Sequence, residues 1–584
     1  MAFGYSFVNL SEAEKLQRRE LLDLYAATAQ WSILIVFAVF QLSFLLSWLL
    51  EPRAEERPKS PFGKPPKLKG PGWIAKAQHL PRSLSWWAGA PLAEGWGTRA
   101  EWIAGLAWTA WLLFLSVHQT GNDYLHLTKR FGIVGASQLP LHYLLAIRSK
   151  YSPPQLLTRL SHEQIKTAHQ ILGRIITFLF ILHACFYLNF FILSGFLQKR
   201  IKDPDVIFGI VSIIMFITMN TTALNIIRKW SYRMFYTTHI VFASLLIIPL
   251  YFHVHHIRKY VLEVCVIIIS NQALRNYSLR TYSGTISMVP GTNLVQVKVP
   301  LVSSNKEMKW KPGQHVYLSR PTGASTSFGV CEMLVLWNQT NPFTIASLAE
   351  QDKHLLLVVR TLTGNTKQLA KLARSLPSQD GVEVPSIPVA LEGPYGSTSR
   401  LPDLTKFDRV LLVAGGVGAT FIIPIYRSLV EHDGPSFRNS QLRFVWAVRK
   451  LAETQWAFPA SRGDEDAESE AEGVQTDNEV EVSVTQPFGS DLQGENADDG
   501  MELAEAEHLI PFEEEMEKPR KGVVLRAGRP DVHAIVDEVF TTSAGSVAVI
   551  TCGPRGMTEK LRESVGTWVK QGREVYWHNE TFGW

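Results

Sequence analysis

The sequence predicts a polytopic α-helical membrane domain followed by a soluble module made of a small antiparallel β-barrel and an α/β nucleotide-binding domain. Three observations predict it. Long apolar runs are confined to the first half of the 584 residues. Two of those runs carry a histidine pair of the same spacing, His169 with His183 and His239 with His253. From Arg280 the pattern changes to short alternating strands, and later to buried strands that run into glycine turns.

A chain of this length suggests two or three domains. The net charge of +5 gives no case for a nucleic-acid partner, and no nucleic-acid module is recognisable. Four cysteines, Cys185, Cys265, Cys331 and Cys552, lack CxxC or zinc spacing, which argues against disulfides and structural metal clusters. The first thirty residues are polar and charged before Trp31, so the first apolar run reads as a retained anchor rather than a cleaved signal.

Hydropathy gives seven spans, at 31–50, 102–118, 131–147, 171–193, 206–227, 235–256 and 260–270. Several fall short of the roughly 20 residues a bilayer needs, the last most of all. Arg53, Arg57, Lys59, Lys64, Lys67, Lys69, Lys76 and Arg82 follow the first span, and Arg148, Lys150, Arg159, Lys166, Arg228, Lys229 and Arg233 lie in loops that alternate with it correctly. These loops are expected in the cytosol, which puts the amino terminus outside and everything after Asn276 inside. Lys199, Arg200 and Lys202 oppose this mildly. The Pro- and Lys-rich stretch 52–72 reads as a flexible cytosolic linker.

Each histidine pair is fourteen residues apart (183 − 169 and 253 − 239). At about 100° per residue both imidazoles share one helix face, about 21 Å apart along the axis. A lone histidine on an apolar helix is ordinarily a core residue. Two matched pairs on helices that the topology makes parallel point instead to axial ligands for two stacked haem irons. His169 and His239 would share the inner haem, His183 and His253 the outer. Gly173, one turn after His169, would let a porphyrin approach or serve helix packing. Arg174 and Arg233 would meet propionates or simply flank the membrane, and His255 and His256 lie at the outer surface.

In the second half, strands are expected at 281–289, 294–299, 313–318 and 354–361. The segment Asn341-Pro342-Phe343-Thr344-Ile345 and the turn Gly364-Asn365-Thr366 before a helix would hold a ring and a pyrophosphate. The strand 409–413 runs into Gly415-Gly416-Val417-Gly418-Ala419-Thr420 and a helix, a dinucleotide site in outline. A strand at 442–448 ends at Arg449-Lys450, cations suited to a 2′-phosphate, or surface charge alone. A last strand, 547–551, meets Cys552-Gly553-Pro554. The acidic stretch 463–517 reads as a disordered insertion without a packed core. The expected domains are therefore 1–100, 101–275, 276–400 and 401–584, with the insertion at about 461–520.

Taken together, the two His-x13-His pairs, Lys311-Pro312-Gly313-Gln314-His315-Val316-Tyr317-Leu318, the Asn-Pro-Phe-Thr-Ile segment, Glu392-Gly393-Pro394-Tyr395-Gly396, the Gly-Gly-x-Gly turn, Cys-Gly-Pro and the ending Glu580-Thr581-Phe582-Gly583-Trp584 resemble the fungal ferric reductase transmembrane component (metalloreductase) family, relatives of the NADPH oxidases. The resemblance covers roughly residues 100–584. It implies a six-helix haem core preceded here by an extra span, and a ferredoxin-NADP reductase-like module with an FAD barrel and an NADP domain. It implies two haem b, FAD and NADPH as cofactors. Asn341, Pro342, Phe343, Thr344, Ile345, Gly364 and Thr366 would contact FAD, while Gly415, Gly416, Gly418, Thr420, Arg449, Cys552, Gly553 and Pro554 would line the NADPH site. Phe343, Thr344, Cys552 and Trp584 would stand nearest the reacting rings. The family has histidine where this chain has Asn341, which hydrogen-bonds but carries no cation.

The expected function is transfer of electrons from cytosolic NADPH through FAD and two haems to ferric or cupric chelates outside, ahead of a separate iron transporter. The expected membrane is the plasma membrane, and a vacuolar membrane fits the same topology. An oxidase delivering electrons to O2 and a non-catalytic haem-binding scaffold remain as alternatives.

Overall fold

A computed structural model describes residues 4–50, 81–300 except 94 and 150, 308–319, 341–362, 364–376, 385–396, 401–432, 441–458, 480–485 and 523–580 except 544. The linker 52–72, Thr581 to Trp584 and most of the acidic stretch lie outside these residues. The chain divides into two units, one mainly of residues 87–278 with the amino-terminal helices, the other mainly of residues 279–584.

The first unit is helical. Five helices among the described residues are long and apolar enough to cross a membrane: Glu12–Leu46, Arg99–Val117, Gln164–Leu193, Pro204–Thr222 and Tyr232–His253. The other two expected spans are also helical, as Tyr124–Ser137 with Leu139–Leu145, broken where Gln138 ends the first piece and Pro140 starts the second, and as Arg258–Ser278.

The amino terminus departs from expectation. The first helix begins at Glu12, nineteen residues before Trp31 (31 − 12). A capping box between Ser11 and Glu14 starts it. Leu22, Tyr25, Ala26 and Ala29 recur at helical spacing and are buried, with the helix packed on Tyr124–Ser137. A polar average over thirty residues conceals that apolar stripe.

The second unit holds two sheets. Strands β1 (Leu279–Met288), β2 (Leu294–Pro300), β3 (His315–Ser319), β4 (Asn341–Thr344), β5 (His354–Arg360) and β6 (Ile387–Tyr395) pair in the order β4-β3-β6-β1-β2-β5, all antiparallel. An Ile345–Leu357 bridge brings the two ends together into a nearly closed barrel, which removes the exposed edges. The second sheet, β7 (Arg409–Gly415), β8 (Leu442–Val448), β9 (Val480–Val484), β10 (Val523–Ala527), β11 (Val547–Cys552) and β12 (Val575–Glu580), is parallel in the order β10-β9-β8-β7-β11-β12.

Strand β9 corrects the reading of 463–517 as an insertion without a packed core. Val480 and Val482 are fully buried, and β9 lies between β8 and β10. Five residues of alternating valine are enough for a buried strand, and the acidic residues on either side hid them in the composition. One side of the barrel joins the core of the second sheet: Leu294, Leu356 and Val358 belong to the same cluster as Leu412, Phe421 and Ile550, while the barrel interior has a core of its own. Arg427 adds a bidentate pair to Asp352 at 2.8 and 2.9 Å.

Candidate functional site

In the helical unit, one uninterrupted helix, His162–Leu193, carries His169, Gly173 and His183. The facing histidines sit on two successive helices, His239 on Tyr232–Leu245 and His253 at the end of Ile247–His253. His169 and His239 face each other with ring centres 6.2 Å apart and planes at 69°. His183 and His253 do the same at 6.4 Å and 89°. The four imidazoles thus meet in the two pairs that the spacing predicts.

Three of the rings are fixed through Nδ1. That atom donates to the carbonyl of His142 from His169 at 3.0 Å, of Thr128 from His183 at 2.8 Å, and of Asp205 from His253 at 2.6 Å. A carbonyl only accepts, so Nδ1 bears the hydrogen and Nε2 keeps its lone pair for a ligand. Centre-to-centre separations of 6.2 and 6.4 Å leave room between the rings of each pair for one metal atom, which His169 with His239 and His183 with His253 would hold. No group of three or more His, Cys, Asp or Glu among the described residues is placed to hold a metal ion.

Several residues at this site escaped the sequence reading. A Cβ on Gly132 would come 2.6 Å from Nδ1 of His183, and one on Gly209 would come 2.6 Å from Cε1 of His253, so both glycines clear space for a ligand. Their only signal was glycine inside an apolar helix. Gly173 instead faces His142, whose Cε1 a Cβ would meet at 2.9 Å. Arg174 lies over Trp96 at 4.6 Å and Trp102 at 5.5 Å. His255 and His256 form a short turn with ring centres 3.8 Å apart.

In the barrel, Asn341 pairs with Leu318, Pro342 with Tyr317, Phe343 with Val316 and Thr344 with His315. Alternation sends Phe343 and Thr344 to opposite faces. Phe343 packs on the barrel core and Thr344 is buried, as is Ile345. Gly364 takes a positive φ of 67° to start the helix Asn365–Ser375, and the Thr366 hydroxyl accepts from the Leu362 amide at 2.9 Å. The result is a helix amino terminus after a glycine turn, suited to a phosphate.

In the parallel sheet, β7 and β11 are neighbours with Ala414 opposite Cys552, where the strand order turns from one direction to the other. Their two loops touch. A Cβ on Gly418 would collide with the Cys552 carbonyl, and one on Gly415 with the Pro554 ring. Gly416 has φ of 54°, and its carbonyl accepts from the Trp446 indole at 3.0 Å. Gly553 lies against Gly415, and Thr420 turns its hydroxyl back to the Val417 carbonyl at 2.9 Å. Arg449 is exposed just past β8, at the same end of the sheet. Cys552 is 1 % exposed, and burial with the nearby Glu580 carboxylate pushes its thiol well above the ordinary range, so it is no thiolate.

Residues 131–250 match the ferric reductase like transmembrane component family, residues 279–399 an FAD-binding domain, and residues 407–566 the ferric reductase NAD binding domain. Each match covers less than a third of the chain, and together they make it similar, domain by domain and in the same order, to the ferric reductases. As a ferric reductase relative it is a transmembrane oxidoreductase with FAD- and NAD-binding domains. It is 24% identical over 76% of its length to a probable metalloreductase AIM14 of Meyerozyma guilliermondii, 81% of which is covered. It is 27% identical over 73% of its length to ferric reductase transmembrane component 4 of Saccharomyces cerevisiae, covering 58% of that protein. Ferric/cupric reductase transmembrane component 1 of Candida albicans is 24% identical over 75% of this chain and 54% of its own length.

Proposed function

We propose that this ferric reductase passes electrons from NADPH through FAD and two bis-histidine haem sites to ferric or cupric chelates on the opposite face of a membrane, ahead of metal uptake by a separate transporter. The observation that carries the reading is the meeting of the four histidines in two pairs, 6.2 and 6.4 Å apart. Bound FAD would convert a two-electron hydride into single electrons, and bound haem would carry them one at a time at two depths. Each NADPH oxidised reduces two ferric ions and releases one proton.

The residues supply the positioning. His169, His183 and His253 give their Nδ1 hydrogens to carbonyls, which leaves each Nε2 lone pair for a metal. Gly364 and Thr366 shape the turn for FAD phosphates, and Phe343 and Thr344 on β4 are offered to the flavin. Gly415, Gly416, Gly418, Gly553 and Pro554 let NADPH phosphates approach the backbone, and Arg449 offers a cation to a 2′-phosphate. Trp86 and Arg82 pack on the NAD-binding domain, supporting a common side for that domain and the basic linker after the first span. A cytosolic location for both follows the positive-inside rule, and the resemblance to the ferric reductases favours the plasma membrane.

The test is a reduced-minus-oxidised spectrum and haem count of the purified protein, with His169→Ala and His253→Ala alongside. Two haems, falling to one in each variant, support the reading; one haem in the unaltered protein sinks it. NADPH-fed membranes should form Fe(II) from a ferric chelate, and superoxide in its place would make the enzyme an oxidase.

A further inference from the structure

The His169–His239 level contains a third imidazole. His142, on the short helix Leu139–Leu145, stacks on His169 with ring centres 4.0 Å apart and planes within 9° of parallel. The same residue grips His169 a second way, because its main-chain carbonyl accepts the His169 Nδ1 hydrogen at 3.0 Å. The carbonyl prevents the ring from flipping, and the stacked face prevents it from turning about its long axis. Gly173 makes room, since a Cβ there would meet His142 Cε1 at 2.9 Å. Nδ1 of His142 is buried and has no hydrogen-bond partner among the described residues. An apolar side chain would avoid that cost. The other level lacks this device. His183 bonds to the carbonyl of Thr128, which has no ring, and meets Tyr187 edge-on, at 4.9 Å and 74°.

Resting on the haem reading above, we propose that His142 is a positioning residue that fixes the plane of the His169 ligand, and so makes the two haem levels electronically unequal. The angle between two axial imidazole planes governs the low-spin ferric spectrum, and the orientation and hydrogen bonding of a ligand tune the metal's potential. The inner pair stands at 69° and the outer at 89°.

The test uses the full-length protein in detergent, with haem count, low-temperature EPR of the oxidised form and a redox titration, on the unaltered chain, His142→Ala, His142→Leu and His142→Phe. The carbonyl is kept in all of them, so only the ring is probed. With His142→Ala and His142→Leu, one low-spin signal and one midpoint potential should shift while the other signal and potential stay in place. His142→Phe, flat but without nitrogen, should restore the original signal. If His142→Ala loses a haem outright, the comparison of His142→Leu with His142→Phe decides. Two haems with unchanged spectra and potentials in both apolar truncations would overturn the proposal. So would a shift that His142→Phe fails to reverse. Fewer than two haems in the unaltered chain would be a failure of the underlying reading instead.

Discussion

Trp86 and Gly566, 480 residues apart in sequence (566 − 86), meet so closely that a Cβ on residue 566 would lie 2.9 Å from the indole nitrogen. The guanidinium of Arg562 lies over the same indole at 4.3 Å and donates to its main-chain carbonyl at 2.6 Å, while Trp577 meets it edge-on at 5.7 Å. Arg82 completes the contact with Glu574 at 3.5 Å. Trp86→Ala should cost about 1–2 kcal/mol, from the lost aromatic and cation–π contacts. Gly566→Val should cost a similar amount by expelling the ring. Thermal unfolding of the two variants and their combination checks this: a double variant no worse than either single one is expected, and full additivity would show that the two residues do not interact.

Gly132→Ala should remove one haem of two, because the new methyl displaces His183 and breaks its bond to Thr128. The overpacking should cost about 1–3 kcal/mol. A pyridine haemochrome assay reads the stoichiometry, and the His169–His239 site serves as the internal control.

Gly418→Ala should force apart the loops after β7 and β11, since the clash is with backbone, which cannot swing away. KM for NADPH, measured with ferricyanide as acceptor, should rise tenfold or more, a loss of about 1.4 kcal/mol. The haem count should not change.

Val482→Asp should unfold the NAD-binding domain, at a cost of about 3–5 kcal/mol for an unpaired carboxylate inside a sheet. Chemical denaturation followed by tryptophan fluorescence tests it, with buried Trp446 on the adjacent strand as reporter. A variant as stable as the parent would restore the idea that this stretch is dispensable.

Cys552 should make the protein less stable in alkali. Its folded pKa is raised, so the folded state holds the proton more tightly than the unfolded chain does. The stabilisation is complete below the unfolded thiol value of about 8.5 and is lost as pH rises toward the folded value. Urea midpoints measured from pH 7.5 upward should fall above about pH 8.5, and Cys552→Ala should flatten that fall.

Hydrophobic length, strand alternation and glycine turns are local properties, and they were readable without coordinates. They gave the order of the domains, strand β8 to the residue, and the two histidine pairings, because a fourteen-residue step within one apolar span, together with the alternation of the spans, leaves little freedom. Hidden instead were features whose cause lies on another segment. Gly132, Gly209 and His142 matter only because a histidine on a neighbouring helix packs on them. Strand β9 is a strand because β8 and β10 cover both its edges, although its acidic surroundings suggested otherwise. The nearness of Gly418 to Cys552 follows from parallel pairing of strands 138 residues apart in register (552 − 414). The chain's periodicity decided which residues could face one another, and tertiary packing decided which of them do, because contact depends on the neighbour as much as on the residue itself.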